Sequence, residues 1–301
     1  PEFPQDVLTR EKARIISSIK ESSAKPDYIA ERKSMKMLYG SHPYGLSSLG
    51  EMDTLDTLQR EDLLAFYRSY YVAGNAVIAI IGDVSRFEAA AIAELLTGNL
   101  SSEQQKIEMP AVQIPIADIK KIPHPATQSH IQLAYPGLRR NDPDYFPLLV
   151  GNYVLGGGGF VSRLMEEVRQ QRGLAYSVYS SFSPYKEQGP FQIVLQTKKE
   201  QSEEAFALTR KVLKDFVTEG PTEEELAAAQ QNIIGGFPLR IDSNSKILSF
   251  LAMIGFYHLP LTYLTDYLAS VEAVTAAQIR QAFQRRIQPD GVVAVVVGAI
   301  E

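Results

Sequence analysis

Residues 292–298, Val-Val-Ala-Val-Val-Val-Gly, repeat the pattern of residues 76–82, Ala-Val-Ile-Ala-Ile-Ile-Gly. Each run is apolar throughout, rich in β-branched side chains and closed by glycine, and each is too short for an average helix. This pattern predicts a buried β-strand in both places. We therefore expect Ile78 and Val295 to lie in equivalent strands of two related sheets.

A second pair of segments repeats at nearly the same distance. Leu226–Ile234 matches Leu8–Ile16 at an offset of about 218 residues, and the two glycine-ended runs are 216 residues apart. These similar offsets predict a tandem duplication. The second copy begins near Gln128, so the opening half of the first copy would precede Pro1. We expect the first domain to lack that half within this sequence.

The chain is expected to be an α+β protein of two tandem homologous domains, each an antiparallel-rich sheet covered by helices. A stretch poor in helix signals separates them, and its four prolines favour an extended connector. These are Pro110, Pro115, Pro123 and Pro125. We assign residues 4–107 to the second half of the first domain, residues 108–125 to a linker and residues 126–301 to the second domain.

The composition excludes several classes of protein. The chain has no cysteine, which removes disulfides, thiolate zinc sites, iron–sulfur clusters and cysteine nucleophiles. Its net charge of −5 argues against a nucleic-acid partner, for which a basic face is expected. No apolar run reaches the roughly 18 residues that a membrane helix requires, and no secretory leader is recognisable. We expect a globular protein without a membrane span.

Several motifs, taken in order, resemble one known family. They are Tyr39-Gly40-x-His42-Pro43-Tyr44-Gly45, Leu49-Gly50, Phe66-Tyr67-x-x-Tyr70-Tyr71-x-x-Gly74-Asn75, Leu155-Gly156-Gly157, Ser162-Arg163-Leu164, Arg169 and Gly173-Leu174-Ala175-Tyr176-Ser177-Val178-Tyr179-Ser180. In this order and spacing the chain resembles the pitrilysin/insulinase-type zinc metallopeptidases. The resemblance is to their small two-domain branch, which includes the mitochondrial processing peptidase subunits. Tandem duplication is also a property of that family.

The resemblance implies a zinc centre that this sequence does not contain. In the family, the histidines of an H-x-x-E-H motif and a downstream glutamate bind zinc, and the motif glutamate activates the bound water. No such motif occurs here, and the histidines are not paired; they are His42, His124, His130 and His258. Counting back from Leu49-Gly50 puts Ser18 at the downstream ligand position, with Glu11 and Glu21 one to two turns away. A neutral hydroxyl cannot replace a carboxylate, so we expect no metal or other cofactor in this chain.

The resemblance also implies a substrate-binding pair. In relatives, an arginine and a tyrosine seven residues later reach the zinc site of another domain and bind carbonyl oxygens. Arg169 and Tyr176 have that spacing. Because two donors on one oxygen are worth more than one, we expect both side chains to face a common cavity. Strand alternation is expected to place Val178 and Ser180 on the face that Tyr176 occupies.

Residues Gly156–Gly159 form a run of four glycines after a predicted helix. A phosphate-binding loop would follow a strand and carry a lysine, so this run predicts a flexible turn between helices instead. Similar glycine-rich loops in the processing-peptidase relatives contribute to substrate handling.

Three pairs of residues predict where helices begin. Ser85 and Glu88, Thr222 and Glu225, and Thr275 and Gln278 each have the spacing of a capping box, in which both side chains accept from otherwise unpaired backbone donors. Gly173 is expected to cap the end of the helix that precedes it.

The sequence thus predicts a non-catalytic, substrate-binding subunit that pairs with a zinc-bearing subunit of the same family and binds peptide. Three alternatives stay open. The chain could be a fragment of a zinc-active peptidase whose H-x-x-E-H motif lies upstream, a silent assembly or scaffold subunit, or a peptide-binding module without an enzyme partner. The sequence allows either the bacterial periplasm or the cytoplasm.

Overall fold

The computed structural model describes residues 1–102 and 108–298. The α-helices are α1 Gln5–Ser22, α2 Pro26–Tyr39, α3 Met52–Thr57, α4 Arg60–Tyr70, α5 Arg86–Thr97, α6 Tyr145–Asn152, α7 Ser202–Glu219, α8 Glu223–Gly236, α9 Asn244–Tyr257, α10 Tyr263–Glu272 and α11 Ala276–Arg286. Two π-helical segments are π1 Tyr153–Gly157 and π2 Met165–Gln171. The strands are β1 Ile119–Ile122, β2 Gln128–Pro136, β3 Ser177–Phe182, β4 Pro190–Lys198 and β5 Val293–Val297.

The residues group into two compact units, each discontinuous in sequence. Unit 1 comprises Pro1–Lys20, Leu49–Glu108 and Gly236–Thr265. Unit 2 comprises Glu21–Ser48, Met109–Gly235 and Asp266–Glu301. Compactness is a different criterion from homology, so the domain boundaries at residues 107 and 125 stay a prediction.

Unit 2 contains one mixed sheet with the strand order β1-β5-β2-β4-β3. Three neighbouring pairs are antiparallel, and β1 pairs with β5 in parallel. The sheet and its helices confirm the predicted mixed α+β class. The strand β1 forms inside the stretch predicted as a linker, so part of that stretch belongs to the sheet.

Strand β5 is buried along its whole length because helices cover the sheet on both faces. On one face α2 contributes Ala30, which packs with Val295 and Val297. On the other side, α7 packs against β2 and β4, and its Phe216 ring contacts Phe283 of α11 at a centroid distance of 4.9 Å. This double burial is what an unbroken run of valines predicts.

Unit 1 is helical over most of its described residues. The Arg60 side chain donates to the Phe3 carbonyl at 3.0 Å, and the Lys12 ammonium donates to the Leu58 carbonyl at 2.9 Å. Helix α5 begins at the predicted capping box of Ser85 and Glu88, whose carboxylate accepts from the Ser85 backbone at 2.8 Å. The predicted capping box at the start of α5 is therefore confirmed.

The predicted strand at residues 76–81 is wrong for this structure. The segment is extended but belongs to no strand, because no described residues pair with its backbone as neighbouring strands. Its side chains are also open, with Val77 exposed by 48% and Ile78 by 38%. Ile78 and Val295 therefore do not lie in equivalent strands here.

Candidate functional site

Segment π2, which carries Arg169, is anchored at its start by Arg163. The Arg163 guanidinium donates to both carboxylate oxygens of Glu225 at 2.7 Å and to the Gly220 carbonyl at 3.0 Å. It also lies over the Phe216 ring, 5.2 Å from its centroid. A planar, bidentate contact of this kind fixes geometry as well as charge. The base of π2 is therefore held rigidly against α7 and α8.

Burial raises the pKa of Glu225, but hydrogen bonds from Arg163 and from the Thr222 backbone outweigh burial and lower it. The same carboxylate closes the predicted capping box of α8, since it accepts from the Thr222 backbone N–H at 2.7 Å. One side chain thus joins the first turn of α8 to the arginine at the base of π2.

Arg169 lies in the last turn of π2 and is half-buried. Its guanidinium lies over the exposed Phe160 ring, 4.9 Å from the centroid. The helix then ends at Gly173, whose φ of +64° is the left-handed conformation that favours glycine. The Gly173 N–H donates to the Arg169 carbonyl at 2.9 Å, and the Leu174 N–H donates to the Val168 carbonyl at 2.9 Å. The predicted glycine C-cap is confirmed.

Tyr176 immediately precedes β3 and is the most open tyrosine of this region, with 74% of its surface exposed. Its backbone is fixed, because its N–H donates to the Gln196 carbonyl at 3.0 Å. Val178 and Ser180 are buried, at 1% and 3% exposure. Tyr176 therefore differs in environment from the two residues expected on its face.

The turn at Gly173 keeps the Arg169 and Tyr176 backbones close. Tyr176 lies three residues beyond Gly173, and an extended chain spans at most about 11 Å over three residues. The Gly173 N–H itself contacts the Arg169 carbonyl. Two long side chains that start from such positions can reach one ligand. A common cavity for the pair stays a prediction.

The glycine run forms helical structure, so the predicted flexible turn is wrong for its first members. Gly156 and Gly157 belong to π1, and Gly156 is buried. A Cβ at Gly156 would lie 2.4 Å from the Ser180 hydroxyl, so only glycine allows this approach to β3. Asn152 fixes the same contact, because the Ser180 hydroxyl donates to its side-chain oxygen at 2.8 Å.

Two of the segments that carry family motifs are π-helical, which sequence reasoning missed: π1 contains Leu155–Gly157, and π2 contains Arg169. Such turns are rare and occur often at functional sites. The π-helical hydrogen-bond pattern has no residue signature of its own. The glycine run was the available signal, since small side chains permit the close packing of π1 on β3.

The described residues do not fit a zinc centre. Ser18 lies exposed on α1, and no group of three histidine, cysteine, aspartate or glutamate residues in ranges 1–102 and 108–298 could hold a metal ion. The His42 ring accepts from the Tyr44 N–H at 3.1 Å, and the His124 ring accepts from the Ala126 N–H at 3.1 Å. These two histidines act as local caps for the backbone.

A family model described as "Peptidase M16 inactive domain" matches residues 57–233, which is more than half of the chain. The chain belongs to the peptidase M16 family. The resemblance drawn from the motifs is thereby confirmed. The crystal structure of a peptidase M16 inactive domain from Pseudomonas fluorescens is 38% identical, with a TM-score of 0.96, and the match covers 100% of this chain and 72% of that chain.

Two curated relatives are similar to this chain in sequence but have different names. The "Uncharacterized zinc protease YmxG" of Bacillus subtilis is 29% identical over 81% of this chain and 59% of its own length. The "Non-peptidase homolog YmxG" of Helicobacter pylori is 26% identical over 93% of this chain and 65% of its own length. The chain thus spans about three fifths of the length of these relatives.

None of the helices in the described part of this M16 chain combines the length and the apolar character that crossing a membrane would require.

Proposed function

We propose that this chain is a non-catalytic subunit of a zinc metallopeptidase and supplies Arg169 and Tyr176 to peptide bound at the zinc site of a partner subunit of the same family. The observation that carries the proposal is the junction at Gly173. It places an exposed phenol on a fixed backbone shortly after an arginine at the end of a π-helix. The match to an inactive M16 domain supports a role in binding rather than in metal chemistry.

The chemistry assigned to the pair is hydrogen-bond donation to a carbonyl oxygen. A guanidinium and a phenol both donate, and donors fixed before the reaction stabilise negative charge that develops on that oxygen. Phe160 would hold the Arg169 guanidinium by its ring face, and the Tyr176 backbone bond to β4 would hold the phenol. This chain then orients the substrate while the partner supplies the metal.

The absence of zinc from this chain is part of the proposal. Ser18 presents a neutral hydroxyl where the family pattern has a carboxylate ligand. Metal analysis after dialysis against buffer without chelator should find less than about one tenth of a zinc per chain, a limit far below the stoichiometric binding of a structural or catalytic site. About one tightly held zinc per chain would instead favour the zinc-active fragment, the reading that the name of the Bacillus subtilis relative supports.

Two tandem homologous domains also belong to the proposal. Helices α4 and α11 each have eleven residues, each begin at a capping box, and each are followed by a short 3₁₀ turn and an apolar run. This shared succession of elements, repeated at an offset of 216 residues, supports a duplication.

Reconstitution with a zinc-bearing M16 subunit from the same source tests the function. We expect Arg169→Ala and Tyr176→Phe each to lower kcat for a fluorogenic peptide by about tenfold to a thousandfold, as loss of one oxyanion donor does. Subunit affinity should hardly change, because neither residue is assigned to the interface. Arg172→Ala is the matched control, since Arg172 is an exposed arginine three residues beyond Arg169.

The outcomes separate the alternatives. Turnover at the wild-type level in both variants would remove the assigned role of the pair. A complex that forms but shows no peptide cleavage with any chain would favour the silent assembly subunit. If no zinc-bearing relative co-purifies with the chain, and the chain still binds peptide, the peptide-binding module would be favoured.

A further inference from the structure

A groove in unit 2 lies beside α2 on the open part of the sheet. Helix α2 covers one face of β5 and β2, where Leu38 packs with Ala134 and Val293. The same face continues onto β4 and β3, and the cavity there has a volume of about 450 Å³. Its surface is mostly polar, although a sheet face beside a packed helix is usually apolar.

Two rows of side chains form the floor of this groove across three strands. The register aligns His130, Gln196 and Ser177 in one row, and Gln132, Val194 and Tyr179 in the next. Residues aligned in this way share one face of the sheet. The floor therefore presents amide, imidazole, hydroxyl and phenol groups next to one another.

Gln132 is the most unusual member of the floor. Its side chain is 4% exposed in the centre of the sheet and lines the groove. Within the described ranges, no side-chain hydrogen bond to its amide is present. The amide lines the groove, and an amide both donates and accepts hydrogen bonds. The groove is the place from which a ligand can supply both bonds.

The wall of the groove is acidic. Asp27 and Glu31 lie four residues apart on α2 and so share a face of that helix. The lining has one lysine, Lys25, and Glu21 already pairs with it at 2.9 Å. Burial lowers the pKa of His130, partly opposed by Asp27, and so favours the neutral imidazole. Among the described residues, neither wall carboxylate makes a salt bridge.

We propose that this groove binds an extended peptide through a lysine or arginine side chain, which contacts Asp27 and Glu31 while the peptide backbone bonds to the glutamine amides. Gln192 and Gln196 both line the groove on β4, and four residues of strand span about 13 Å, enough for about four residues of extended peptide. The choice of a peptide as ligand rests on the proposed function. The groove itself includes neither member of the arginine–tyrosine pair.

Fluorescence anisotropy on the purified chain tests the groove without any partner. The probe is a dye-labelled hexapeptide, Ala-Ala-Arg-Ala-Ala-Ser, and its neutral match has norleucine in place of arginine. The double variant Asp27→Asn/Glu31→Gln should weaken binding of the arginine peptide about five- to tenfold, as loss of exposed charge pairs does, and leave the norleucine peptide unchanged. Glu204→Gln, on an exposed turn of α7, is the matched control.

Gln132→Leu should weaken the binding of both peptides, because it removes hydrogen bonds to the peptide backbone and leaves the contacts to the arginine side chain in place. Equal affinity for the two peptides in the wild-type chain, or wild-type affinity in the double variant, would overturn the proposal. Displacement of bound peptide by spermidine at equal concentration would overturn the peptide as ligand. Suppose that the groove variants bind the arginine peptide with wild-type affinity, while Arg169→Ala loses turnover. That result would overturn the peptide site in the groove and leave the proposed function standing.

Discussion

The apolar run of β5 and the apolar run at residues 76–81 have nearly the same pattern but different structures. Strand β5 pairs with β1 on one side and β2 on the other, and all five of its residues are buried. Residues 76–81 are extended without a partner strand in the described chain, and Val77 and Ile78 are open to solvent. The helices that precede the two runs, α11 and α4, also differ in burial.

Helix α11 buries Ile279, Ala282 and Phe283 completely, whereas none of the eleven described residues of α4 is buried. Both helices nevertheless form and begin at capping boxes. Local sequence is therefore sufficient for a capped helix, while a strand needs neighbours that accept its backbone bonds and cover its side chains. The comparison separates what short-range chemistry decides from what tertiary packing decides.

Amide hydrogen exchange should show the largest difference between the two runs. We expect amides of residues 293–297 to exchange at least about 10⁴-fold more slowly than those of residues 77–81. The reason is that β5 amides open only with the sheet, whereas unpaired backbone is already accessible. Exchange followed by mass spectrometry on peptides that cover the two runs gives the measurement. Comparable protection of both runs would mean that residues 76–81 have partners in solution.

A buried charge should sharpen the comparison. We expect Val295→Asp to destabilise the chain by at least about 4 kcal/mol, because it leaves an unpaired carboxylate in the centre of the sheet. Ile78→Asp should cost less than about 1 kcal/mol, since its side chain already contacts water. Urea unfolding followed by circular dichroism gives both values, as the chain has no tryptophan.

Val295→Ala removes two methyl groups without adding charge, so it measures the loss of packing alone. The stability that it loses should lie between the losses of Ile78→Asp and Val295→Asp. A large loss of stability from Ile78→Asp would contradict the comparison, because it would show that residue 78 is buried in solution.

Sequence patterns predicted the parts of this fold that depend on neighbouring residues in the chain. The capping boxes at Ser85, Thr222 and Thr275 formed as expected, because each needs only residues three apart. The glycine cap at Gly173 formed for the same reason. Whether an apolar run becomes a strand depends on distant segments, and there the prediction at residues 76–81 was wrong.

In the candidate site, too, the features that depend on neighbouring residues could be predicted, and those that depend on distant segments could not. The arginine–tyrosine spacing around Gly173 could be found from a motif, but the stacking of Arg169 on Phe160 could not, because π-helical turns have no local signature. The groove residues His130 and Gln132 were missed for another reason. They alternate with buried Ile131 and Leu133, which looks like an ordinary half-exposed strand.

The end of α11 offers a third test of the comparison. Asp144 accepts from Arg285 at 2.6 Å and from Arg286 at 2.8 Å, whereas Arg68 in the last turn of α4 has no ion pair among the described residues. Burial alone would raise the pKa of Asp144, but hydrogen bonds from the two arginines outweigh burial and lower it. We expect Asp144→Asn to cost about 2 kcal/mol at pH 7, measured by urea unfolding.

The pH dependence of that cost follows from the direction of the shift. A carboxylate with a lowered pKa contributes stability above its ordinary value of 3.8 and loses it as the pH falls through the folded-state value. The difference between wild type and Asp144→Asn should therefore be constant from pH 7 to pH 5 and shrink below pH 4. Asp290→Asn is the control, because its contacts to Arg210 and Lys214 are exposed and 3.4 Å long. A cost independent of pH down to pH 3 would exclude charge as its cause.

The smallest expected effect compares the two helix caps themselves. The Thr275 hydroxyl accepts from the Gln278 N–H at 3.2 Å at the start of α11, and the Asp62 carboxylate accepts from the Gln59 N–H at 2.8 Å at the start of α4. We expect Thr275→Ala to lower the free energy of unfolding by about 1 kcal/mol, because loosening the first turn of α11 disturbs side chains that are buried in the core.

Asp62→Ala should lower the free energy of unfolding by less than about 0.5 kcal/mol, since a frayed α4 uncovers little that is not already exposed. Thr275→Ser keeps the hydroxyl and should restore most of the loss. Equal costs for the two alanine variants would show that α4 is coupled to a core as firmly as α11, and the difference between the two apolar runs would then need another explanation.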